Sequence, residues 1–206
     1  MAKVAGRVCV GFAHPVVAKY DMSGDAVQYT SGMVLARGVD VKINPETSDE
    51  EIFYADNGPA ESDSGVFSGG TCDLTVDGLL DEAERFILGL SAPEAVTYGA
   101  EQTVNVTKYG EGAVIPDVGI GYIVTYKSGG IYSYVPTILR KAKFKQPGEE
   151  HKSSDKKISY QTQKLSAVLF RDDTTKRDWK WKAEAQSTMA AAVAVLDGLL
   201  GVKKEE

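Results

Sequence analysis

Between Ile43 and Glu84 the chain carries twelve carboxylates, Glu46, Asp49, Glu50, Glu51, Asp56, Glu61, Asp63, Asp73, Asp77, Asp81, Glu82 and Glu84, and no Lys or Arg. Carboxylates at such density are the raw material of glycoside hydrolysis, in which two of them flank one sugar bond. That chemistry also needs a pocket that raises one carboxyl pKa, and the pattern announces none. A plainer account covers the later acids: Asp77 caps a helix, Asp81 and Glu82 fill its first turn, Glu84 takes its solvent face, and Asp73 takes the outer face of a strand. The only histidines, His14 and His151, have no Cys, Asp or second His at zinc-ligand spacing, so both are expected at the surface. No Gly-x-Ser-x-Gly elbow, Walker-type phosphate loop or dinucleotide fingerprint occurs, and Gly119-Ile-Gly121 is a fragment of none of them. The expectation is no catalytic residue, no cofactor, no metal and no enzymatic activity.

From Arg140 to Lys182 the balance inverts, to thirteen Lys or Arg against six Asp or Glu, within a formal net charge of -6. A chain with separate acidic and basic stretches either folds them together or presents them to neighbours, and the second choice makes an assembly subunit. Lys141, Lys143 and Lys145 line one face of a strand with Phe144 opposite. A solvated face that meets carboxylates explains them better than nucleic-acid binding, given the overall negative charge. Trp179 and Trp181, spaced two apart with Ala183 and Ala185, read as core or interface rather than as base-stacking platforms. Cys9 and Cys72 have no metal or disulfide spacing and are expected as small buried side chains. No segment reaches the roughly 20 apolar residues of a membrane span. The start of the chain reads as a strand rather than a signal peptide, which predicts a soluble protein kept in the cytosol, where the Asn105-Val106-Thr107 sequon has no meaning.

The elements that position these residues are mostly strands. Val8, Val10 and Phe12 alternate, as do Val39, Val41 and Ile43, and then Cys72, Leu74 and Val76. Asn44 to Gly70 lacks that period and predicts a long functional loop bearing Phe53, Tyr54, Val66 and Phe67. Leu79, Leu80, Ala83, Phe86, Ile87 and Leu90 follow helical spacing, stopped near Gly89 and Pro93. Val104 and Val106 suggest a strand. Gly119 to Lys127 predicts a longer one, apolar on both faces, with a Ser128-Gly129-Gly130 turn into Ile131 to Lys145. Gln146 to Lys157 reads as a projecting loop, Ile158 to Phe170 and Asp178 to Gln186 as strands, and 187–200 as a last helix with Met189, Val193, Leu196 and Leu200 on one stripe. A single domain over residues 1–206 is expected, with the loop at 44–70 and a helical extension at about 187–201.

Two stretches carry a family likeness. Glu51-Ile-Phe-Tyr-Ala-Asp-Asn-Gly-Pro-Ala-Glu61, followed by the strand at Thr71 to Asp77 and the helix at Leu79 to Leu90, resembles the major tail protein, or tail tube protein, of long-tailed non-contractile bacteriophages. Gly130 to Phe144, then Gln146-Pro-Gly-Glu-Glu, then Ile158-Ser-Tyr-Gln-Thr-Gln163, is similar to the closing strands of that family. With the start around Gly11 to Ala18, the likeness runs to about Trp181; the Ala-rich terminal helix has no counterpart in it. The resemblance implies a mainly β (α+β) fold, a β-sandwich or partial barrel with one flanking helix. It implies a virion protein made in the host cytoplasm, forming hexameric rings that stack into a tube for DNA passage without specific DNA binding. Its partners would be copies of itself and the tape measure, tail terminator and distal tail proteins, with no membrane. On this reading the candidate subunit interface comprises Glu50, Glu51, Phe53, Tyr54, Asp56, Asn57, Phe67, Lys141, Lys143 and Lys145. The competing readings are a monomeric β-barrel or sandwich that binds a ligand or partner, and a tail adaptor that stops at one ring.

Overall fold

The computed structural model describes residues 6–49, 51–55, 58–63, 65–99, 101–149, 153 and 161–203, with 51–55 and 58–63 described by their backbone pairing. The strands are β1 (Val8–Ser23), β2 (Ala26–Val34), β3 (Gly38–Thr47), β4 (Glu51–Ala55), β5 (Gly58–Asp63), β6 (Phe67–Val76), β7 (Glu94–Tyr98), β8 (Gln102–Val106), β9 (Val118–Ser128), β10 (Ile131–Phe144), β11 (Gln163–Phe170) and β12 (Lys180–Lys182). The helices are α1 (Asp81–Leu88) and α2 (Met189–Leu200), so the fold is mainly β with a flanking and a C-terminal helix. The main sheet is antiparallel in the order β2-β1-β9-β10-β11-β6-β3, with β12 added to β10 along Thr137–Leu139.

The chain's connectivity forces this sheet to curl. β2 and β3 stand at opposite ends of the strand order, yet only residues 35–37 join them. Laid flat, seven strands at about 4.8 Å spacing would hold these ends about 29 Å apart, whereas the connector reaches at most about 14 Å. The ends therefore approach: a Cβ on Gly38 of β3 would sit 2.2 Å from Phe12 Cε1 of β1, while the connector itself continues the two flanking ladders. Leu35 N donates to Pro15 O at 3.0 Å, and Asp77 N to Arg37 O at 3.0 Å. The result is a partial barrel whose interior holds Val17, Leu74, Ile120, Tyr122, Leu139 and Leu169, among others, together with Ala83, Ile87 and Leu88 of α1.

The period of two places the intervening residues outside. Val16, Ala18, Ile123 and Ile138 pack there against Ala192, Leu196 and Leu200 of α2. β1, β9 and β10 are thus covered on both faces where α2 lies, which is why 118–123 reads as a continuous apolar run. Gly121 permits the contact, since a Cβ there would sit 2.4 Å from Leu200 Cδ1 and 2.8 Å from Leu196 Cδ1.

Both helices are present but start differently from expectation. α1 begins at Asp81 behind Leu80, with no side-chain cap. Asp77 is instead taken by Arg37, whose backbone N and Nε donate to it at 3.0 and 2.5 Å. α2 is capped by Thr188, whose hydroxyl accepts from Ala191 N at 3.2 Å. Within α1, Ile87 is fully buried while Phe86 is partly exposed at the margin. Ile87→Ala is therefore expected to destabilise the subunit by about 2–5 kcal/mol, and Phe86→Ala by less. Urea midpoints of the two variants check the ranking; equal midpoints would place Phe86 in the interior with Ile87.

Candidate functional site

The expected loop at 44–70 is mostly strand. β3 runs to Thr47 and β6 starts at Phe67, and a neck closes between them: Ser48 N donates to Val66 O at 2.8 Å, and Val66 N to Ser48 Oγ at 3.0 Å. Beyond the neck, β4 and β5 pair only with each other. Their register sets Glu51 opposite Asp63 and Phe53 opposite Glu61, with Tyr54 opposite Pro59. Two acids at one cross-strand position disfavour a hairpin standing alone. Glu50, Asp56 and Asn57 lie outside the described residues, as do His151 and the stretch 158–160 of the expected strand.

Phe67, half-buried, packs against the subunit's own core. Its ring stacks on Trp179 at 4.4 Å with 6° between the planes, closing the barrel beside β6. Trp181, two residues on, is on the other side of the sheet and 42% exposed, lying over the Arg140 guanidinium at 3.5 Å. The strand expected over 178–186 is paired as β12 only at 180–182, with one further bridge between Tyr134 and Gln186.

The lysine row also finds partners inside the chain, and they come from neither end of the acidic stretch. Lys141 Nζ lies 2.6 Å from Asp173 and 3.6 Å from Asp117, and Lys143 Nζ 3.7 Å from Asp117. The Lys141 ammonium and the Tyr20 hydroxyl, both bonded to Asp173, hold its carboxyl below the usual carboxylate range despite some burial. Lys145 is exposed and has no described carboxylate within ion-pairing distance, and the same holds for Lys164 and Lys42. Lys42 stands opposite Asp73 across β3 and β6, and Asp73 accepts from Ser166 Oγ at 2.9 Å. These residues share the outward face of β10, β11, β6 and β3, which α2 does not cover.

Arg140, which opens the basic stretch of the sequence, does not belong to a charged surface. It is buried, its guanidinium held by Asp172 at 2.8 Å, and both side chains are almost without solvent exposure. Asp172 also accepts from Thr174 N and Oγ1 at 3.2 and 2.7 Å, fixing the turn after β11. His14 departs from its expected surface role too. Its Nε2 lies 2.9 Å from Asp197 Oδ1, tying β1 to α2. Of the cysteines, Cys72 is buried, its thiol pushed up to about 12 by burial, whereas Cys9, expected buried, is exposed.

Two features were not located by the sequence-based expectation. The barrel is unclosed along one seam, because β2 pairs with β1 only from Val16 onward, leaving 8–13 unpaired on that side, opposite the unpaired edge of β3. A cavity of about 440 Å³ occupies the seam, lined by Phe12, Val39, Val41, Ile43, Tyr122 and Val124. The second is a hairpin of β7 and β8 that pairs with nothing else and is exposed at all ten positions. Only its second strand was expected, from Val104 and Val106. Glu94, Val96, Tyr98, Gln102, Val104 and Val106 share one of its faces by register, with Glu94 paired to Lys108 at 2.5 Å, while Ala95, Thr97, Thr103 and Asn105 share the other.

Among the described residues no group of three or more His, Cys, Asp or Glu is placed to hold a metal ion, and no helix is long and apolar enough to cross a membrane. The carboxylates at 73, 77 and 172 are each hydrogen-bonded, to Ser166, to Arg37, and to Arg140 with Thr174. What the arrangement offers is edges, hairpins and charged faces. No family model matches the chain, and no curated protein matches it.

Proposed function

We propose that this chain is a structural subunit of a bacteriophage tail tube, self-assembling into stacked, hexameric rings that give DNA a conduit. The observation that carries the reading is a partial barrel open along one seam, with two hairpins that pair with no other strand of the described chain. A two-stranded hairpin is marginal alone in water, and an unpaired strand edge invites pairing with another chain. Head-to-tail contacts that close make rings, and the same contacts repeated axially make a tube. The acidic arm beyond Ser48 and the lysines at 42, 145 and 164 supply complementary charge for such contacts. Work of this kind is mechanical, needs no cofactor, and engages the other tail proteins at the tube ends.

The seam cavity supports a second reading, a monomeric barrel that binds an apolar ligand between β1 and β3. Size-exclusion chromatography at rising concentration followed by negative-stain microscopy separates the possibilities. Tubes are expected; discrete single rings would indicate an adaptor, and a monomer at every concentration would leave the ligand-binding reading.

Salt reports on the charge term. The Debye length falls from about 8 Å at physiological ionic strength to about 3 Å at 1 M. Assembly, followed by light scattering, should therefore start more slowly in high salt while tubes already formed persist on their apolar contacts. A rate that rises with salt would show repulsion between acidic surfaces in control.

A further inference from the structure

α2 is apolar on every side. Asp197 is its only charged residue, and that side chain is committed to His14. Ala192, Leu196 and Leu200 face the barrel, which leaves Ala190, Ala194, Gly198 and Leu199 exposed with Ala191 and Val195 beside them. A helix without a polar face is ordinarily a buried helix. The β7–β8 hairpin has the converse shape: Val96, Tyr98, Val104 and Val106, each between 37% and 54% exposed, form an apolar patch on one face, with Glu94, paired to Lys108, and Gln102 at opposite ends of that face. Its strands pair with no other strand of the barrel. Shallow small-residue ground on the helix suits the projecting valines of the hairpin.

We propose that the β7–β8 hairpin of one copy lays its apolar face on the outer face of α2 of a second copy, which rests on the self-assembly reading above and names one of its contacts. The size of the surface identifies the occupant. Two five-residue strands make a face about 17 Å long and about 10 Å across, on the order of 200 Å², against about 800 Å² per partner in a stable free-standing complex. A free partner would not stay on so small a face. A second copy already held by strand edges and charged faces would, because tethering supplies the effective concentration. The contact is heterologous, so it propagates from copy to copy rather than stopping at a pair.

The test uses two variants of the full chain in a Cys9→Ser background, one carrying Val104→Cys and the other, distinguishable by a size tag, carrying Val195→Cys. Cys72 is buried and does not interfere. The two are mixed, allowed to assemble and oxidised. Disulfide between a tagged and an untagged copy is expected, about tenfold or more enriched over the same mixture held dilute and unassembled. Assembly that proceeds with no such disulfide overturns this contact and leaves the self-assembly reading standing. A mixture of the unsubstituted chains that never assembles overturns both. A chain carrying both substitutions that links only to itself as a monomer shows that the hairpin folds onto its own helix, which also overturns the proposal.

Discussion

Asp172→Ala should lower the unfolding free energy by about 3–5 kcal/mol, because it strands the Arg140 guanidinium in a site almost free of solvent. For a domain of this size each kcal/mol moves the melting temperature by about 2–4 °C, so a fall of roughly 6–20 °C is expected. The charge is lost together with the acceptor for Thr174 N and Oγ1, which loosens the turn leading to β12. The control is the double replacement Arg140→Met with Asp172→Leu. A buried pair exchanged for apolar groups is often neutral, so the double variant should recover much of what the single one loses. A single variant that melts like the wild-type chain would mean that water reaches Arg140. A double variant no better than the single would mean that Trp181, which stacks on the guanidinium, needs the cation itself.

Replacing residues 49–65 by two glycines should separate folding from assembly. The Ser48 and Val66 bonds form a natural neck, and among the described residues beyond it none pairs with the main sheet. Shortening the connection between β3 and β6 reduces loop-closure entropy, so stability should hold or rise, by up to about 2 kcal/mol. Tube formation should disappear at every concentration at which the intact chain forms tubes. Thermal unfolding and microscopy on the same sample give both readouts. Tubes of ordinary dimensions from the shortened chain would remove the acidic arm from the assembly mechanism; a chain that fails to fold would show that β4 and β5 support the barrel.

What could be read in the sequence was whatever depends on local periodicity. The alternation in Cys72, Leu74 and Val76, the two-sided apolar run after Val118 and the apolar stripe of α2 all reappear as elements. The failures have a common cause in distant partners. Asp77 had a good capping position, but Arg37, forty residues earlier in the chain, is brought beside it by the pairing of β3 with β6. Phe67 looked like a loop aromatic because its partner Trp179 is more than a hundred residues away. Lys141 and Arg140, adjacent on one strand, meet Asp173 and Asp172 after a turn whose course no period encodes. β7 was missed because Glu94 falls on the face of Val96 and Tyr98 while apolar Ala95 falls on the other, which blurs the alternation. Candidate interface positions were the least legible: their value depends on a surface of another molecule.

The strand order also sets a timetable for the nascent chain. β1 is finished by Ser23, and its first partner, β2, follows at once, but its other neighbour, β9, begins only at Val118. At about 5–20 residues per second, roughly 5–20 s of synthesis separate the two. Val16, Val17 and Ala18 therefore wait beside a single partner, and β6 likewise waits for β11. Pairings this distant in sequence place folding in the slow, millisecond-to-second class even after release. Until α2, made after β12, lands on the Val16 and Ile123 face, that face stays open to solvent and to other chains. Any chaperone dependence during expression, or capture of chains in inclusion bodies, is expected to follow from that order of synthesis more than from the stability of the finished barrel.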